Sequence, residues 1–272
     1  MAGETLLQVR DLEVVYRVMD GEAKAVDRVS FTVGAKECVA IIGESGSGKT
    51  TVANAVLRTL PENARISAGQ VTFRGKEILR LSEAEMRKVR GEEIAMVFQD
   101  PHSFLNPVLR IGKLLEETIR THRPDLGGQR IQDRAIELLS LVRIPDPAKI
   151  LRRYPHQLSG GMAQRVGIAL ALSSDPTLLI ADEPTSALDL TIQAQIVKLL
   201  KGLQEMLHLS VLLITHDLSL VSNIAERVYV MCQGKVVEEG SVDRVYQAPG
   251  EPYTRLLLSA VKTLQGLNPD PA

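Results

Sequence analysis

The segment GESGSGKT, Gly43 to Thr50, follows a mostly apolar run from Glu37 to Ile42 and precedes a stretch with helical spacing from Thr51 to Leu60, closed by Pro61. Strand, glycine loop and helix in that order leave few folds open. The pattern GxxxxGK[ST] is met by Gly43, Gly48, Lys49 and Thr50, and ordinary residue frequencies produce it by chance on the order of 0.01 times in a chain of this length. Glycines let successive backbone N–H groups turn inward as an anion nest at a helix N-terminus, the lysine reaches terminal phosphates, and the threonine hydroxyl suits magnesium. Candidate phosphate-site residues therefore run through Gly43, Glu44, Ser45, Gly46, Ser47, Gly48, Lys49, Thr50 and Thr51.

Upstream, apolar and polar positions alternate over Leu6 to Val9, Leu12 to Tyr16 and Val29 to Val33, with Asp20 and Gly21 marking a turn, which predicts antiparallel strands. Val71 to Phe73 reads as a short strand. Ser82 and Glu85 form a capping box for a charged helix that Gly91 would end, and Ile94 to Phe98 reads as a buried strand. From about residue 104 to 161 strand signals give way to helical ones: Ile111 to His122, Arg130 to Leu141, and a helix opened by Asp146 as cap with Pro147 at its first position. Apolar strands return at Leu178 to Ala181, Val211 to Thr215 and Val228 to Met231, the first two separated by a helix from Thr191 to Leu207. Strands alternating with crossover helices predict an α/β fold with a mainly parallel core sheet, an N-terminal antiparallel β subdomain and an inserted α-helical subdomain. The expected organisation is one domain over 1–265, with 1–103 and 162–245 as its α/β and β parts, 104–161 helical, and a short C-terminal helix and tail over 246–272.

With 44% apolar and 24% charged residues the chain is of ordinary globular composition. Lysine and arginine total 32 against 33 aspartates and glutamates, so no overall field draws it to nucleic acid. Cys38 and Cys232 stand far apart, which excludes a disulfide framework, and both fall in expected strands as small buried hydrophobes. The apolar run Val166 to Leu172 is far short of the roughly 20 residues that span a bilayer. Work at a membrane would need a spanning partner.

A phosphate loop calls for an acidic residue at the end of a buried strand. LLIADE supplies Asp182 for the magnesium shell, through water, and Glu183 beside it, placed to polarise an attacking water. In LSGGM, Ser159 can cap a new helix while Gly160 and Gly161 let backbone N–H groups approach a ligand, a second anion site at a helix N-terminus.

GESGSGKT, the glutamine of FQDP at Gln99, LSGGM, LLIADEP, SALD at Ser186 to Asp189 and His216 in ITHD stand in the order found in ATP-binding subunits of ABC transporters, which the chain resembles nearly throughout. The wording QDPHSFLNPVLRIG, YPHQLSGGMAQR and EPYTRLLLSAV further resembles the peptide and nickel uptake branch, which implies an importer of peptides, nickel or a metal chelate. The resemblance implies a P-loop NTPase cassette that binds ATP and Mg2+ and dimerises head to tail, with Ser159 and Gly161 of one copy closing over the phosphate held by Lys49 of the other. It implies that Gln99 senses magnesium and the permease, that His216 contacts the terminal phosphate and holds water near Glu183, and that Asp189 joins the two sites. Tyr16 resembles the aromatic residue that stacks on adenine.

The implied partners are transmembrane permease subunits and a second ATPase subunit, self or paralogue, with an extracytoplasmic substrate-binding protein served indirectly; the implied place is the cytoplasmic face of the plasma membrane. GLNPDPA lacks the cysteines that many peptide-branch members carry for an iron–sulfur cluster, so no cluster is expected. Two other classes stay open at this level. One is an ABC-type ATPase of a soluble assembly, above all a phosphonate-processing complex; the other is a nucleotide module that signals without turnover or transfers the phosphoryl group elsewhere.

Overall fold

The computed structural model describes residues 4–186 and 188–264. Its elements in chain order are β1 (Thr5–Val18), β2 (Gly21–Gly34), β3 (Cys38–Ile42), α1 (Lys49–Leu57), β4 (Ala64–Phe73), β5 (Lys76–Glu77), α2 (Glu83–Lys88), β6 (Ile94–Val97), α3 (Pro101–Phe104), α4 (Ile111–His122), α5 (Gly128–Leu141) and α6 (Pro147–Ile150). There follow α7 (Gly160–Ala171), β7 (Leu178–Asp182), α8 (Leu190–Leu207), β8 (Ser210–Thr215), α9 (Leu218–Val221), β9 (Arg227–Cys232), β10 (Lys235–Ser241), α10 (Val242–Gln247) and α11 (Pro252–Leu264). They group into two compact units, one from residues 1–82 with 210–272, the other from 83–209.

In the first unit, β2, β1, β4 and β5 form an antiparallel sheet in that order. The alternation read upstream becomes one continuous strand, β1, because bulges between Val9 and Leu12 and between Leu12 and Val14 let the chain bend without leaving the ladder. Strands β9, β3 and β8 pair in parallel, with β10 added antiparallel to β9. Every residue of β3 and β8 is buried, as in a parallel sheet covered on both faces, where each aliphatic side chain contributes about 1.5–3 kcal/mol of burial.

One arginine joins the antiparallel sheet to the parallel strands. Arg227 at the start of β9 grips Glu37 with Nε at 2.6 Å and Nη2 at 3.1 Å, donates to the Tyr229 hydroxyl at 2.9 Å, and reaches the Thr32 carbonyl of β2 at 2.9 Å. The Glu37 carboxylate holds this guanidinium protonated well beyond its ordinary range, against the opposing effect of partial burial.

In the second unit β6 and β7 pair in parallel, and a layer of helices follows β6. The amphipathic helices α4 and α5 bury Leu115, Ile119, Ile131, Ala135 and Leu138, at the 3.6-residue spacing their sequences predict. The region opened by Asp146 is helical, but its carboxylate does not cap: Asp146 is held at φ 51, a left-handed conformation, and Pro147 already removes one of the N–H groups a cap would serve. Phe98 lies outside β6 and is 43% exposed, and Cys232, at the end of β9, is half-buried rather than buried; Cys38 is buried. The tail beyond Leu264 lies outside the described residues, within which no helix is long and apolar enough to cross a membrane.

Candidate functional site

In the first unit β3 ends at Ile42, which pairs with Thr215 of β8, so the glycine loop and His216 leave the sheet side by side at its carboxyl edge. The loop's backbone admits no side chain at two points. A Cβ on Gly43 (φ 153) would lie 2.2 Å from the Met231 carbonyl oxygen, and one on Gly48 (φ 99) 2.5 Å from that of Ala25. Gly48 is also the residue preceding α1, whose first-turn N–H groups open toward the loop.

Lys49 is 4% exposed, and its ammonium donates to the carbonyls of Gly43 at 2.8 Å and Glu44 at 2.7 Å and to the Ser47 hydroxyl at 3.4 Å. The cation thus sits beneath the loop while Glu44, Ser45 and Gly46 at its tip are exposed. Ser47 is buried with the lysine, and Thr50 is exposed on the first turn of α1. Tyr16 of β1 brings its hydroxyl within 3.4 Å of the Thr51 hydroxyl, so the half-buried ring lies beside the start of the same helix.

His216 is exposed on a turn fixed from both sides: the Asp217 amide donates to the Thr215 hydroxyl at 3.0 Å, and the Asp217 carboxylate caps α9 by accepting from the Ser219 amide at 2.9 Å. Asp217 was not singled out from sequence, although aspartate ahead of a short helix is a cap signal.

In the second unit β6 and β7 bring Val97 opposite Ala181, which sends the chain toward Gln99 on one strand and Asp182 and Glu183 on the other. Asp182 is buried, 4% exposed, at the end of β7. Glu183 holds φ 43, a left-handed conformation that costs a non-glycine residue about 1–2 kcal/mol. Its carboxylate accepts a hydrogen bond from the Gln99 amide nitrogen at 3.0 Å.

Ser159 caps α7 as the sequence predicts, accepting from the Met162 amide at 3.4 Å, and is exposed at the helix tip with Gly160 and Gly161 half-buried behind it. Gly161 also has a packing duty: a Cβ there would lie 2.7 Å from Ile192 Cγ2 of α8. Gln164 of α7, buried, donates to the Phe98 carbonyl at 3.5 Å and so ties this helix to the segment bearing Gln99. Asp189 caps α8, accepting from the Ile192 amide at 3.0 Å.

A buried ammonium below a glycine cradle, followed by a helix N-terminus, is an arrangement suited to phosphate. The family model described as ABC transporter matches residues 26–186. The chain belongs to the ABC transporter family.

Within it, the chain is 46% identical over 261 residues to the oligopeptide transport ATP-binding protein OppD of Bacillus subtilis (strain 168), covering 96% of this chain and 73% of that one. It is 44% identical over 264 residues to the dipeptide transport ATP-binding protein DppD of Lactococcus lactis subsp. cremoris (strain MG1363), covering 97% and 76%. Among solved structures it is similar to the dimeric post-hydrolysis state of the ATP-binding cassette MJ0796 bound to ADP and Pi, with a TM-score of 0.78, 30% identity, and coverage of 87% of this chain and 99% of that one. CbiO1 of Clostridium perfringens, part of the ABC transporter complex cbiONQ, gives 0.77, 28%, 97% and 99%. The α/β architecture with its antiparallel β part is the ABC cassette fold.

Taken one at a time and by chemistry alone, the Thr50 hydroxyl and the Asp182 carboxylate are hard oxygen donors of the kind magnesium takes.

Proposed function

We propose that this chain is the ATP-hydrolysing subunit of an ABC importer for small peptides, peripheral to a membrane-spanning permease and paired with a second cassette. The burial of Lys49 beneath the Gly43–Thr50 cradle carries the nucleotide part of this reading. The relatives named for oligopeptide and dipeptide transport support the cargo class, and the nickel branch is the less supported alternative.

Lys49 and the loop amides hold the terminal phosphates and Tyr16 packs against the adenine. Thr50 and, through water, Asp182 would hold magnesium, which Gln99 would sense and which would supply positive charge against the phosphoryl oxygens. Glu183 accepts the proton of the attacking water, His216 orients that water against the terminal phosphate, and Ser159 with the Gly160 and Gly161 amides of a second copy completes the donor cluster when the dimer closes. Asp189 lies at that dimer junction. Closure excludes solvent and adds donors aimed at the transferring group, so turnover depends on the dimer.

The test is Glu183→Gln. It should bind Mg-ATP, elute as a dimer with ATP but not with ADP, and lose turnover by at least about 100-fold. Wild-type turnover in this variant would remove Glu183 from its role. Co-purification of the wild type with a multi-span membrane protein supports transport, whereas a soluble enzyme core as sole partner overturns it.

A further inference from the structure

The phosphate loop and the His216 turn are both bonded by tyrosines from the C-terminal segment. The Glu44 amide, second in GESGSGKT, donates to the Tyr253 hydroxyl of α11 at 3.2 Å, across 209 residues of chain. Tyr246 of α10 donates its hydroxyl to the carbonyl of Leu218 at 2.6 Å, two residues after His216. Tyr246 is mostly buried, and that burial, with Asp217 nearby, pushes its hydroxyl well above the ordinary phenol range, so it stays a proton donor throughout the neutral range.

The frame behind these two hydroxyls is firm. Glu238 of β10 accepts from the amides of Gly250 at 2.6 Å and Glu251 at 3.2 Å, which fixes the entry to α11. Thr254 is fully buried and Leu258 is 7% exposed, so one side of α11 is packed, while Val242 and Val245 bury α10. The β9–β10 turn supports the same loop from behind, with the Gly234 amide donating to the Ser47 carbonyl at 3.1 Å. A loop meant to aim amides at phosphate gains from having its other backbone groups fixed beforehand, because ordering then need not accompany binding.

We propose that Tyr253 and Tyr246 are positioning residues for ATP hydrolysis, the first setting the phosphate loop and the second setting the turn that carries His216. The C-terminal segment thereby presets two loops of one nucleotide site. This rests on the reading of Lys49 and its loop as the ATP site.

Full-length Tyr253→Phe and Tyr246→Phe keep their rings and lose only the hydroxyls. For Tyr253→Phe, calorimetric titration with Mg-ATP should show Kd raised about two- to tenfold with kcat at saturating ATP within about twofold of wild type. For Tyr246→Phe the split should reverse, with kcat lowered about two- to tenfold and Kd unchanged. Hydrogen exchange on the wild type, independent of how the variants fold, should show the Glu44 amide protected, and in Tyr253→Phe that protection should fall.

Wild-type values in both variants, an unprotected Glu44 amide in the wild type, or equal loss of affinity and turnover together with a lowered Tm in both would overturn the proposal, the last outcome leaving the tyrosines a merely structural role. Lys49→Ala separates the two levels. If it still binds Mg-ATP as the wild type does, the site reading itself falls; if it does not and the tyrosine variants are unchanged, only the positioning role falls.

Discussion

The Gln99 amide nitrogen donates to the Glu183 carboxylate at 3.0 Å, although the two residues lie 84 positions apart. The glutamine therefore occupies one acceptor site of the group proposed to activate water, and any movement of the Gln99 segment changes what that carboxylate can accept. Because Gln164 of α7 bonds the neighbouring Phe98 carbonyl, the helix led by Ser159 is tied to the same segment.

Replacing Gln99 by glutamate sets two carboxylates where an amide and a carboxylate now meet. Like charges at such a distance disfavour the doubly ionised pair. At neutral pH kcat of Gln99→Glu should fall well below that of Gln99→Ala, which loses the hydrogen bond without adding a charge. A phosphate-release assay on the three proteins reads this, and equal kcat in the two variants would remove the coupling.

Gly48→Ala should be far worse than Gly46→Ala in binding and in stability. The added methyl at position 48 lands 2.5 Å from the Ala25 carbonyl, whereas at position 46 nothing lies within 4 Å and only the positive φ of 81 opposes it. Backbone cannot give way as a side-chain tip can, so a cost of about 2–4 kcal/mol is expected at 48 against about 1 kcal/mol at 46. Denaturant midpoints of the two variants check the order.

The Arg227–Glu37 pair should prove structural. Arg227→Met leaves Glu37, and the Thr32 carbonyl, without the guanidinium; since the arginine side chain is 35% exposed, screening limits the loss to about 1–3 kcal/mol. Thermal unfolding should show a lower Tm with an unchanged Mg-ATP Kd. An unchanged Tm would mean that the link between the two sheets is held by apolar packing alone.

Acid should loosen the start of α11. Burial pushes the Glu238 carboxyl up, yet hydrogen bonding to its charged form, from the Gly250 and Glu251 amides among others, and the Arg244 charge together more than offset this and hold it below the ordinary glutamate range. A carboxyl lowered on folding stabilises the native state above its unfolded value, and that contribution is lost as pH falls through the folded one. Exchange of the Gly250 and Glu251 amides should thus accelerate relative to the core below about pH 4.5 in the wild type, and Glu238→Gln should abolish that acid dependence.

What the sequence discloses are short-range features. The glycine loop, the Ser159 cap and the mostly apolar strands β3, β7 and β8 are written in consecutive residues, and α4 is found within the bounds its periodicity predicts. Strand β10 escaped because KVVEEGS is half-exposed along its length, with neither an apolar run nor alternation. Asp189 also caps α8, a local duty separate from the dimer-junction role the resemblance implies, so its alanine variant will weaken α8 whatever happens at a junction. Gln99 with Glu183, Arg227 with Glu37 and Glu44 with Tyr253 are pairings between distant segments, which local spacing does not encode.

The most direct test titrates Mg-ATP into the wild type, Lys49→Ala and Glu183→Gln and follows phosphate release in the same samples. Tight binding with turnover in the wild type, binding without turnover in Glu183→Gln, and affinity lost by at least about 100-fold in Lys49→Ala is the result this account predicts. Equal affinity in all three proteins, or turnover that survives in Glu183→Gln, would contradict it.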